Sequence, residues 1–335
     1  MKRILITGGN GFIGSHLIQR LQYEGGDIRC LVRTPSVADQ LKTLKVELRY
    51  GELSDFESLA QAVKNCDAVF HLAGKVRARK KSEFEKTNCL GTENLVNAAI
   101  QNSTPPVFIY VSSLAAAGPS NSEQPKAETD LPCPISAYGK SKLGGEKVVA
   151  KHSNQLPASI IRPAIVFGEE DRMNLEIFKT INNLGICPIP GIQDKIYSWI
   201  HAEDLCELLI TVAKSGERMM PESPIGTGIY FAAENNGIRL SEVGREIGTV
   251  LGKKQIRTIH CLPFTLFAVS TFYELLKHFT EINTPYDWAK AWESLHHWRC
   301  SPEKAKCQLG FTPLKSFSER INQTASWYKE HRWLE

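Results

Sequence analysis

The sequence predicts an α/β protein with a doubly wound parallel sheet and a smaller, mostly helical C-terminal part. Three observations support this prediction. Short apolar runs alternate with helical patterns through the first half of the chain, a glycine-rich turn follows the first of these runs, and the alternation ends near residue 163. Strands that are apolar almost throughout and are separated by helices are typical of a parallel sheet covered on both faces.

The elements of the first half follow one another in a regular order. Strands are predicted at 3–7 (RILIT), 28–32 (IRCLV), 46–50 (VELRY), 68–73 (AVFHLA), 107–113 (VFIYVSS) and 159–163 (SIIRP). Helices are predicted at 12–23, 84–100 and 136–152. Beyond residue 163 the pattern changes to helices with short strands such as GIYFAAE at 228–234. Because no long linker separates the two halves, we expect the second half to cover the carboxyl edge of the sheet, where a substrate would bind.

Composition excludes several classes of protein. The chain has 335 residues, 42% of them hydrophobic and 23% charged, which is typical of a globular protein. Its 40 Lys and Arg residues nearly balance its 36 Asp and Glu residues, so neither nucleic acid nor an anionic membrane is predicted as a partner. The 9 cysteines are scattered without C-x-x-C pairs, which predicts reduced thiols and no metal site.

Two apolar stretches bear on the location of the protein. The run near the N-terminus stops at glycines after a few residues, which is too short for a signal peptide. The longest apolar stretch, at 261–273, is shorter than the roughly 20 residues that a membrane span needs. We therefore expect a cytoplasmic protein without a membrane span.

The segment ITGGNGFIGSHL joins the first predicted strand to the first predicted helix and carries glycines at positions 8, 11 and 14. Glycines in such a turn let the backbone approach a pyrophosphate, which binds at the N-terminus of the helix. The spacing G-x-x-G-x-x-G is one residue longer than the usual pattern. We predict a dinucleotide-binding Rossmann domain at 1–165 and a substrate-binding region at 166–335, with some interleaving. The predicted cofactor contacts in this turn are Gly8, Gly11, Phe12, Ile13 and Gly14.

The end of the second predicted strand indicates which dinucleotide binds. An acidic residue at this position would bind the ribose 2′-hydroxyl of NAD, but the sequence has Val32 there, followed by Arg33. Arginine suits a 2′-phosphate, so NADP is predicted rather than NAD. Glu52, which follows the third strand, is predicted to border the adenine.

Several further motifs extend along the chain. They are HLAG at 71–74, Asn88 in EKTNCLGT, YVSSLAAAG at 110–118, SAYGKSK at 136–142, IIRPAIVFG at 160–168, WIHAEDL at 199–205 and SWYKEHRWL at 326–334. Together with the glycine turn, they make the chain resemble the extended short-chain dehydrogenase/reductase family over nearly its whole length. Within that family, the likeness is greater to the reductases and hydroxysteroid-type dehydrogenases.

The resemblance implies a catalytic set of four residues. Tyr138 would exchange a proton with the substrate oxygen while hydride moves to or from the nicotinamide, and Lys142 would hold the ribose and lower the pKa of Tyr138. Ser113 would bind the substrate oxygen, with Ser112 as the alternative, and Asn88 would anchor a proton relay through water. Further cofactor contacts that the resemblance implies are Leu53, Ala73, Gly74, Val111, Pro163 and Ile165.

The spacing of Tyr138 and Lys142 is compatible with these roles. Residues four apart on a helix lie on one face, about a turn from each other. A free tyrosine has a pKa of about 10, which is too high for a base near neutrality. A cation about 4 Å away contributes about 4 kcal/mol at an effective dielectric constant of about 20. We therefore expect Lys142 to bring the pKa of Tyr138 close to neutrality.

Two departures from the sugar-nucleotide branch of the family indicate the reaction. Tyr197 stands where those relatives commonly carry an arginine that clamps a diphosphate, and Leu114 and Ala115 stand where dehydratases carry an acidic pair. The prediction is an NADP(H)-dependent oxidoreductase that interconverts a secondary alcohol and a carbonyl on a partly apolar small molecule. Two alternatives stay open: a nucleotide-sugar epimerase or dehydratase with tightly bound NAD, and a non-catalytic redox sensor that binds a dinucleotide.

Three further features of the sequence are a basic loop, a pair of adjacent histidines and two helices that bear on the oligomeric state. The basic loop KVRARKK at 75–81 could bind a phosphate or carboxylate, but a solvated charged loop is the interpretation we favour. His296 and His297 are adjacent, and adjacent residues do not share a helix face, so they are interpreted as structural or surface residues. The resemblance implies a homodimer in which the helices that begin near 84 and 136 form a four-helix bundle.

Overall fold

The strands and helices of this computed structural model are described for residues 1–34, 41, 44–122, 124–276 and 288–334, and the side chains of 272–276 are left out of the description. The strands are β1 (Arg3–Thr7), β2 (Asp27–Val32), β3 (Glu47–Tyr50), β4 (Ala68–His71), β5 (Val107–Val111), β6 (Ala158–Pro163), β7 (Ile165–Phe167), β8 (Ile186–Pro190), β9 (Ile196–Tyr197), β10 (Trp199–His201), β11 (Ile229–Ala232), β12 (Ile238–Arg239) and β13 (Arg257–Cys261).

The helices alternate with these strands in the first half and dominate the second. They are α1 (Phe12–Tyr23), α2 (Phe56–Val63), α3 (Lys81–Phe84), α4 (Gly91–Ile100), α5 (Leu114–Ala117), α6 (Ala137–Lys151), α7 (Leu175–Leu184), α8 (Ala202–Ser215), α9 (Leu240–Val250), α10 (Pro263–Leu276), α11 (Trp288–Ser294), α12 (Glu303–Leu309) and α13 (Phe317–Glu330). A π-helical turn (Glu85–Leu90) joins α3 to α4, so the helix predicted at 84–100 begins earlier and changes its winding.

Within the described residues, seven strands form one sheet in the order β11-β6-β5-β4-β1-β2-β3. Every neighbouring pair in this sheet is parallel. The order reverses direction at β1, from which the chain first runs outward to β3 and then returns to β4 on the other side. The predicted doubly wound α/β fold is therefore confirmed.

Helices cover both faces of the sheet, which explains why its strands are apolar almost throughout. Apolar side chains of α1 and α8 belong to the core on one face, including Leu17, Leu21, Leu205 and Leu209. On the other face, the core contains side chains from α2, α4 and α6. The predicted elements do not include α2. On this face α4 and α6 pack side by side. The predicted dimer through these two helices stays a prediction.

A second core lies in the C-terminal half, where α7, α9 and α13 pack together around residues such as Phe178, Val243 and Tyr328. Three short strand pairs accompany these helices: β7 with β10, β9 with β12, and β8 with β13. This half also contributes β11 to the central sheet and α8 to its cover. The division at residue 165, with its interleaving, stays a prediction. None of the helices described has the length and apolar character that crossing a membrane requires.

Candidate active site

The parallel sheet gathers the predicted site residues along one edge. Because the strands all run in the same direction, the segments that follow them emerge together at their carboxyl ends. The residues that the sequence singles out follow these ends: the glycine turn after β1, Arg33 after β2, Glu52 and Leu53 after β3, Ala73 and Gly74 after β4, Val111 and Ser113 at the end of β5, Pro163 at the end of β6, and Ile165 at the start of the following β7.

The glycine turn is built for close approach of its backbone segments. Gly8 has a positive φ of 77°, and its carbonyl accepts a hydrogen bond of 3.0 Å from the amide of Gly11. A Cβ at Gly14 would lie 2.3 Å from the Gly8 carbonyl oxygen, and a Cβ at Gly8 would lie 2.7 Å from the Ala73 amide nitrogen. Side chains at these two positions would therefore force apart β1, α1 and the segment after β4.

The start of α1 has the character of an anion site. Gly11 is the N-cap residue and provides no side-chain cap, so backbone amides of the first turn, which includes Phe12 and Ile13, have no side-chain acceptor from that residue. Amides at a helix N-terminus bind phosphate through hydrogen bonds and through the helix dipole. The glycine cradle and the uncapped helix start fit the pyrophosphate of a dinucleotide.

The two residues that the sequence assigns to the adenosine half of the ligand, Arg33 and Glu52, both follow strand ends, and these roles stay predictions. Val32 is buried, and Arg33, the next residue, is exposed at the end of β2. Glu52 is also exposed, and its carboxylate accepts a hydrogen bond of 3.2 Å from Ser54. The carbonyl of Leu53 accepts a hydrogen bond of 2.9 Å from the side chain of Asn94, which fixes the segment after β3 to α4.

A buried chain of hydrogen bonds connects β1, β4 and the π-helical turn. His71 Nδ1 lies 2.7 Å from Thr7 Oγ1, and His71 Nε2 lies 3.0 Å from Thr92 Oγ1. Thr92 donates to the Asn88 carbonyl at 2.8 Å, so it accepts from Nε2–H, and Thr7 donates to Nδ1. Burial, and to a smaller extent the charge of Lys142, lower the pKa of His71 to about 3. The imidazole is therefore neutral at neutral pH.

Asn88 lies in the π-helical turn and is 1% exposed. Its Oδ1 accepts a hydrogen bond of 2.7 Å from the Lys75 amide, and its Nδ2 donates to the Lys75 carbonyl at 3.0 Å and to Ser141 Oγ at 2.9 Å. Asn88 thus fixes the segment after β4, next to Gly74, against α6. Both of its N–H donors are used in these contacts, and the water relay implied for it stays a prediction.

The two serines at the end of β5 have different environments. Ser113 caps α5, accepting a hydrogen bond of 3.1 Å from the Ala115 amide, and its hydroxyl is close enough to Tyr138 to lower the pKa of the phenol. Ser112 is buried and donates to Glu146 Oε1 at 2.5 Å. Glu146 in turn accepts two hydrogen bonds from Arg162, at 2.9 and 2.7 Å. Of the two serines, Ser113 is therefore the one that faces the tyrosine.

Tyr138 lies in the first turn of α6, whose start is capped by Ser136 through a hydrogen bond of 3.0 Å from the Gly139 amide. The ring of Phe84 lies 6.2 Å from the Tyr138 ring, measured between centroids. Burial raises the pKa of Tyr138 to about 12; the neighbouring Ser113 hydroxyl opposes this rise, and the charge of Glu293 adds to it. The phenol is therefore protonated at neutral pH.

Lys142 lies one turn further along α6 and is 4% exposed. Its Nζ donates a hydrogen bond of 2.7 Å to the Val111 carbonyl and lies 4.4 Å from the centroid of the Tyr110 ring. Burial lowers the pKa of Lys142 to about 8, and the nearby Glu146 carboxylate opposes this change. The expectation that Lys142 brings the pKa of Tyr138 close to neutrality is wrong for this arrangement, because desolvation of the phenol is the largest effect.

Four residues at the site were missed by the sequence patterns. Glu146 and Arg162 form the buried pair behind Ser112, and the only signal for Glu146 was its position four residues after Lys142. Lys290 and Glu293 come from α11, and Nζ of Lys290 lies 5.8 Å from the centroid of the Tyr138 ring. No motif marks these two residues in the sequence.

Hydrogen bonds to its C-terminal end hold α11 in place. The Tyr197 hydroxyl donates to the Ser294 carbonyl at 2.9 Å, and Trp298 Nε1 donates to the Glu293 carbonyl at 2.7 Å. Tyr197 therefore anchors this helix. His297 accepts a hydrogen bond of 3.1 Å from the Ile196 amide, which agrees with the structural role predicted for it.

The basic loop lies at the same edge of the sheet. Lys75 pairs with Glu83, while the remaining basic residues are exposed, namely Arg77, Arg79, Lys80 and Lys81. This arrangement agrees with the solvated charged loop that we favour from the sequence.

The chain is similar in sequence to a known protein family and to several characterised proteins. A family model described as the NAD dependent epimerase/dehydratase family matches residues 4–224. A ceramide reductase from Caulobacter vibrioides is 26% identical over 332 residues, which cover 99% of this chain and 96% of that protein. The decarboxylating sterol-4-alpha-carboxylate 3-dehydrogenase of Candida albicans is 24% identical over 350 residues, which cover 98% of each.

Solved structures show the same architecture. The crystal structure of gox2253 superposes with a TM-score of 0.79 at 25% identity and covers 100% of both chains. A UDP-glucose 4-epimerase from Thermotoga maritima superposes with a TM-score of 0.77 at 20% identity, covering 98% of this chain and 99% of that one. The second likeness shows the fold alone.

Proposed function

The chain belongs to the NAD dependent epimerase/dehydratase family, and on that premise we propose that it is an NADP(H)-dependent oxidoreductase. Its proposed reaction interconverts a secondary alcohol and a carbonyl group on a partly apolar small molecule. The enzyme class itself, an NAD(P)-dependent oxidoreductase or epimerase, follows from the family and from relatives that are reductases and dehydrogenases.

One observation carries the proposal: the side chains of Tyr138 and Ser113 lie close together at the carboxyl edge of the sheet, so that the Ser113 hydroxyl acts on the pKa of the phenol. A carbonyl oxygen that reacts at this point can accept a hydrogen bond from each hydroxyl. Lys142 follows Tyr138 by one turn of α6, and the glycine cradle after β1 lies along the same edge. A proton donor, a second hydroxyl and a cofactor site thus occur together.

The protonation state of Tyr138 favours the direction of reduction. A nicotinamide dinucleotide held at the glycine cradle would supply a hydride to the carbonyl carbon. Because burial raises its pKa to about 12, Tyr138 holds its proton at neutral pH and donates it to the carbonyl oxygen as charge develops there. Ser113 orients that oxygen toward the phenol. Lys142, buried and positively charged below a pH of about 8, lies one turn further along α6 and would hold the ribose of the cofactor.

Arg33 supports NADP as the cofactor. It is exposed at the end of β2, at the position from which a side chain contacts the 2′ substituent of the adenosine ribose. A guanidinium group binds a phosphate through charge-assisted hydrogen bonds, and the preceding residue, Val32, provides no carboxylate to bind a 2′-hydroxyl.

The names of the relatives support a partly apolar substrate. They specify a ceramide and a sterol carboxylate as the compounds on which those proteins act. Tyr197, which anchors α11 and stands in place of an arginine, removes a positive charge that a sugar diphosphate would need.

The test begins with the cofactor. Dissociation constants for NADP, NADPH, NAD and NADH are measured by fluorescence on the purified protein, and consumption of NADPH is then followed with a panel of apolar ketones and aldehydes. We expect exchangeable NADPH and turnover that is lost in Tyr138→Phe. Co-purified NAD that does not exchange, with no net consumption of NADPH, would instead indicate an epimerase. Unchanged cellular activity of Tyr138→Phe would indicate a sensor.

A further inference from the structure

The short helix α11 brings two charged residues to the reacting end of the site. Lys290 Nζ lies 5.8 Å from the centroid of the Tyr138 ring, and it donates a hydrogen bond of 2.7 Å to Glu293 Oε2. Glu293 is close enough for its charge to act on the Tyr138 phenol. The Trp298 and Tyr197 hydrogen bonds hold the backbone around Glu293, so the position of its side chain is set by the fold.

The second carboxylate oxygen of Glu293 is buried without a hydrogen-bond partner among the described residues. Glu293 as a whole is 8% exposed. A buried carboxylate oxygen that accepts no hydrogen bond costs free energy comparable to the desolvation of a charged group. Because Glu293 lies on the helix whose Lys290 is close to the Tyr138 ring, this oxygen is an acceptor that a donor of a ligand bound there can satisfy.

The charge of this pair limits what that donor can be. Lys290 and Glu293 neutralise each other, so together they provide no net positive charge for a diphosphate or carboxylate. A negatively charged group close to Oε1 would be repelled by the carboxylate. A neutral hydroxyl or an amide N–H fits, because it donates to Oε1 without introducing charge.

We propose that Glu293 is a specificity-determining residue that accepts a hydrogen bond from a hydroxyl or amide N–H of the substrate, near the carbon that reacts. This inference rests on the proposed function, and it narrows the substrate class to carbonyl compounds with a neutral donor close to the carbonyl. Lys290 positions the Glu293 carboxylate through its contact with Oε2.

Three aryl ketones of similar size provide the test. They are α-hydroxyacetophenone, which has the donor, α-methoxyacetophenone, which keeps the oxygen but lacks the donor, and acetophenone, which lacks both. Binding of each to the enzyme–NADPH complex is measured through the fluorescence of the bound NADPH. Turnover is measured separately through the loss of NADPH absorbance. The variants are Glu293→Leu, which removes the acceptor, and Glu293→Gln, which keeps a neutral acceptor.

Glu176→Gln is the matched control, since Glu176 and Lys179 also form a pair three residues apart but lie exposed on α7. A hydrogen bond to a charged group contributes about 1.5 to 3 kcal/mol, or roughly tenfold to a hundredfold in affinity. We expect the wild type to bind the hydroxy ketone more tightly than the methoxy ketone by that factor. In Glu293→Leu the ratio should fall to about one, Glu293→Gln should be intermediate, and Glu176→Gln should match the wild type.

Equal binding of the hydroxy and methoxy ketones by the wild type would overturn the inference, as would a preference that survives in Glu293→Leu. Should Glu293→Leu fail to fold, the wild-type ratio and Glu293→Gln still decide the question. The turnover measurement tests the proposed function separately, and that function fails if none of the three ketones is reduced. A protein that binds with the expected preference but does not reduce any ketone would keep the inference and reject the reductase.

Discussion

Ser112 Oγ donates a hydrogen bond of 2.5 Å to Glu146 Oε1, inside a buried pair that Glu146 forms with Arg162. The next residue, Ser113, faces Tyr138 instead. Adjacent residues of an extended strand point to opposite sides, so one serine supports the core while its neighbour lies at the site. The two hydroxyls should consequently respond in opposite ways to removal.

Ser113→Ala and Ser112→Ala separate these roles. In Ser113→Ala we expect turnover to fall by about tenfold to a thousandfold, because the hydroxyl that orients the substrate oxygen is lost. The free energy of unfolding should fall by about 1 kcal/mol, because α5 loses its N-cap. In Ser112→Ala we expect a loss of about 1 to 3 kcal/mol in stability, because the Glu146 carboxylate loses a buried donor. Urea unfolding and steady-state kinetics of both variants provide the check. The assignment fails if Ser112→Ala loses the most turnover and keeps its stability.

Tyr138→Phe should remove the proton donor while preserving the shape of the site. We expect turnover to fall by about a hundredfold to ten-thousandfold, with the dissociation constant for NADPH nearly unchanged. Tyr23→Phe serves as the control, since Tyr23 is 89% exposed on α1. Stopped-flow reduction of a ketone and fluorescence titration with NADPH measure the two quantities. Substantial residual turnover in Tyr138→Phe would assign the proton transfer to another group.

Arg33→Ala tests the choice of dinucleotide. Because the guanidinium group is expected to bind the 2′-phosphate, the affinity for NADPH should fall by about tenfold to a hundredfold while that for NADH stays the same. Arg245→Ala is a suitable control, since Arg245 is exposed on α9. The two dissociation constants can be measured by fluorescence in each variant. An equal loss for both dinucleotides would contradict a role in recognising the 2′-phosphate.

Gly14→Ala should be more damaging than Gly11→Ala. A Cβ at Gly14 would lie 2.3 Å from the Gly8 carbonyl oxygen, whereas one at Gly11 would lie 3.3 Å from the same atom. The first contact requires α1 to move away from the turn, which typically costs about 1 to 3 kcal/mol, and the second needs only a small adjustment. We expect this order in urea unfolding, and a larger loss of dinucleotide affinity in Gly14→Ala. The reverse order would show that the cradle tolerates displacement of α1.

His71 should make stability depend on pH. Its pKa falls from an ordinary 6.5 to about 3 in the folded protein, so protonation favours the unfolded chain. The stabilisation is complete above a pH of 6.5 and is lost as the pH falls toward about 3. Between pH 6.5 and about 5 we expect a loss of about 2 kcal/mol, at about 1.4 kcal/mol per pH unit.

The variant His71→Asn isolates this contribution. It lacks the titrating ring, so its free energy of unfolding should change less over the same pH range. Urea titrations of both proteins at several pH values give the difference directly. If the two curves run parallel, the acid sensitivity belongs to other groups.

The local pattern of the chain was enough to predict most of the fold. The strand at Arg3–Thr7 and the helix at Phe12–Tyr23 begin and end where their apolar periodicity does, because each signal lies within a dozen residues. The π-helical turn at Glu85–Leu90 and the insertion of β11 beside β6 were not predicted. Both depend on contacts with distant parts of the chain, which local periodicity does not contain.

The same distinction applies to the candidate site. Gly14 and Arg33 could be singled out because they occupy fixed places around β1 and β2, and their roles stay predictions. Glu293 lies about 150 residues from Tyr138 in sequence and carries no motif, so only the fold brings it near. The pKa of Tyr138 was wrongly predicted for a related reason: the charge of Lys142 can be read from its spacing, but the burial that outweighs it comes from the whole surrounding structure.

The position of β11 has a consequence for making the protein in pieces. All six residues of β6 are buried, and β11 pairs along its outer side. A chain that stops at residue 165 would leave the backbone N–H and C=O groups of that apolar strand bare, which invites pairing between molecules. The first half expressed alone should therefore aggregate. During synthesis on the ribosome, β6 has no partner strand on its outer side until residues 229–232, which form β11, have emerged.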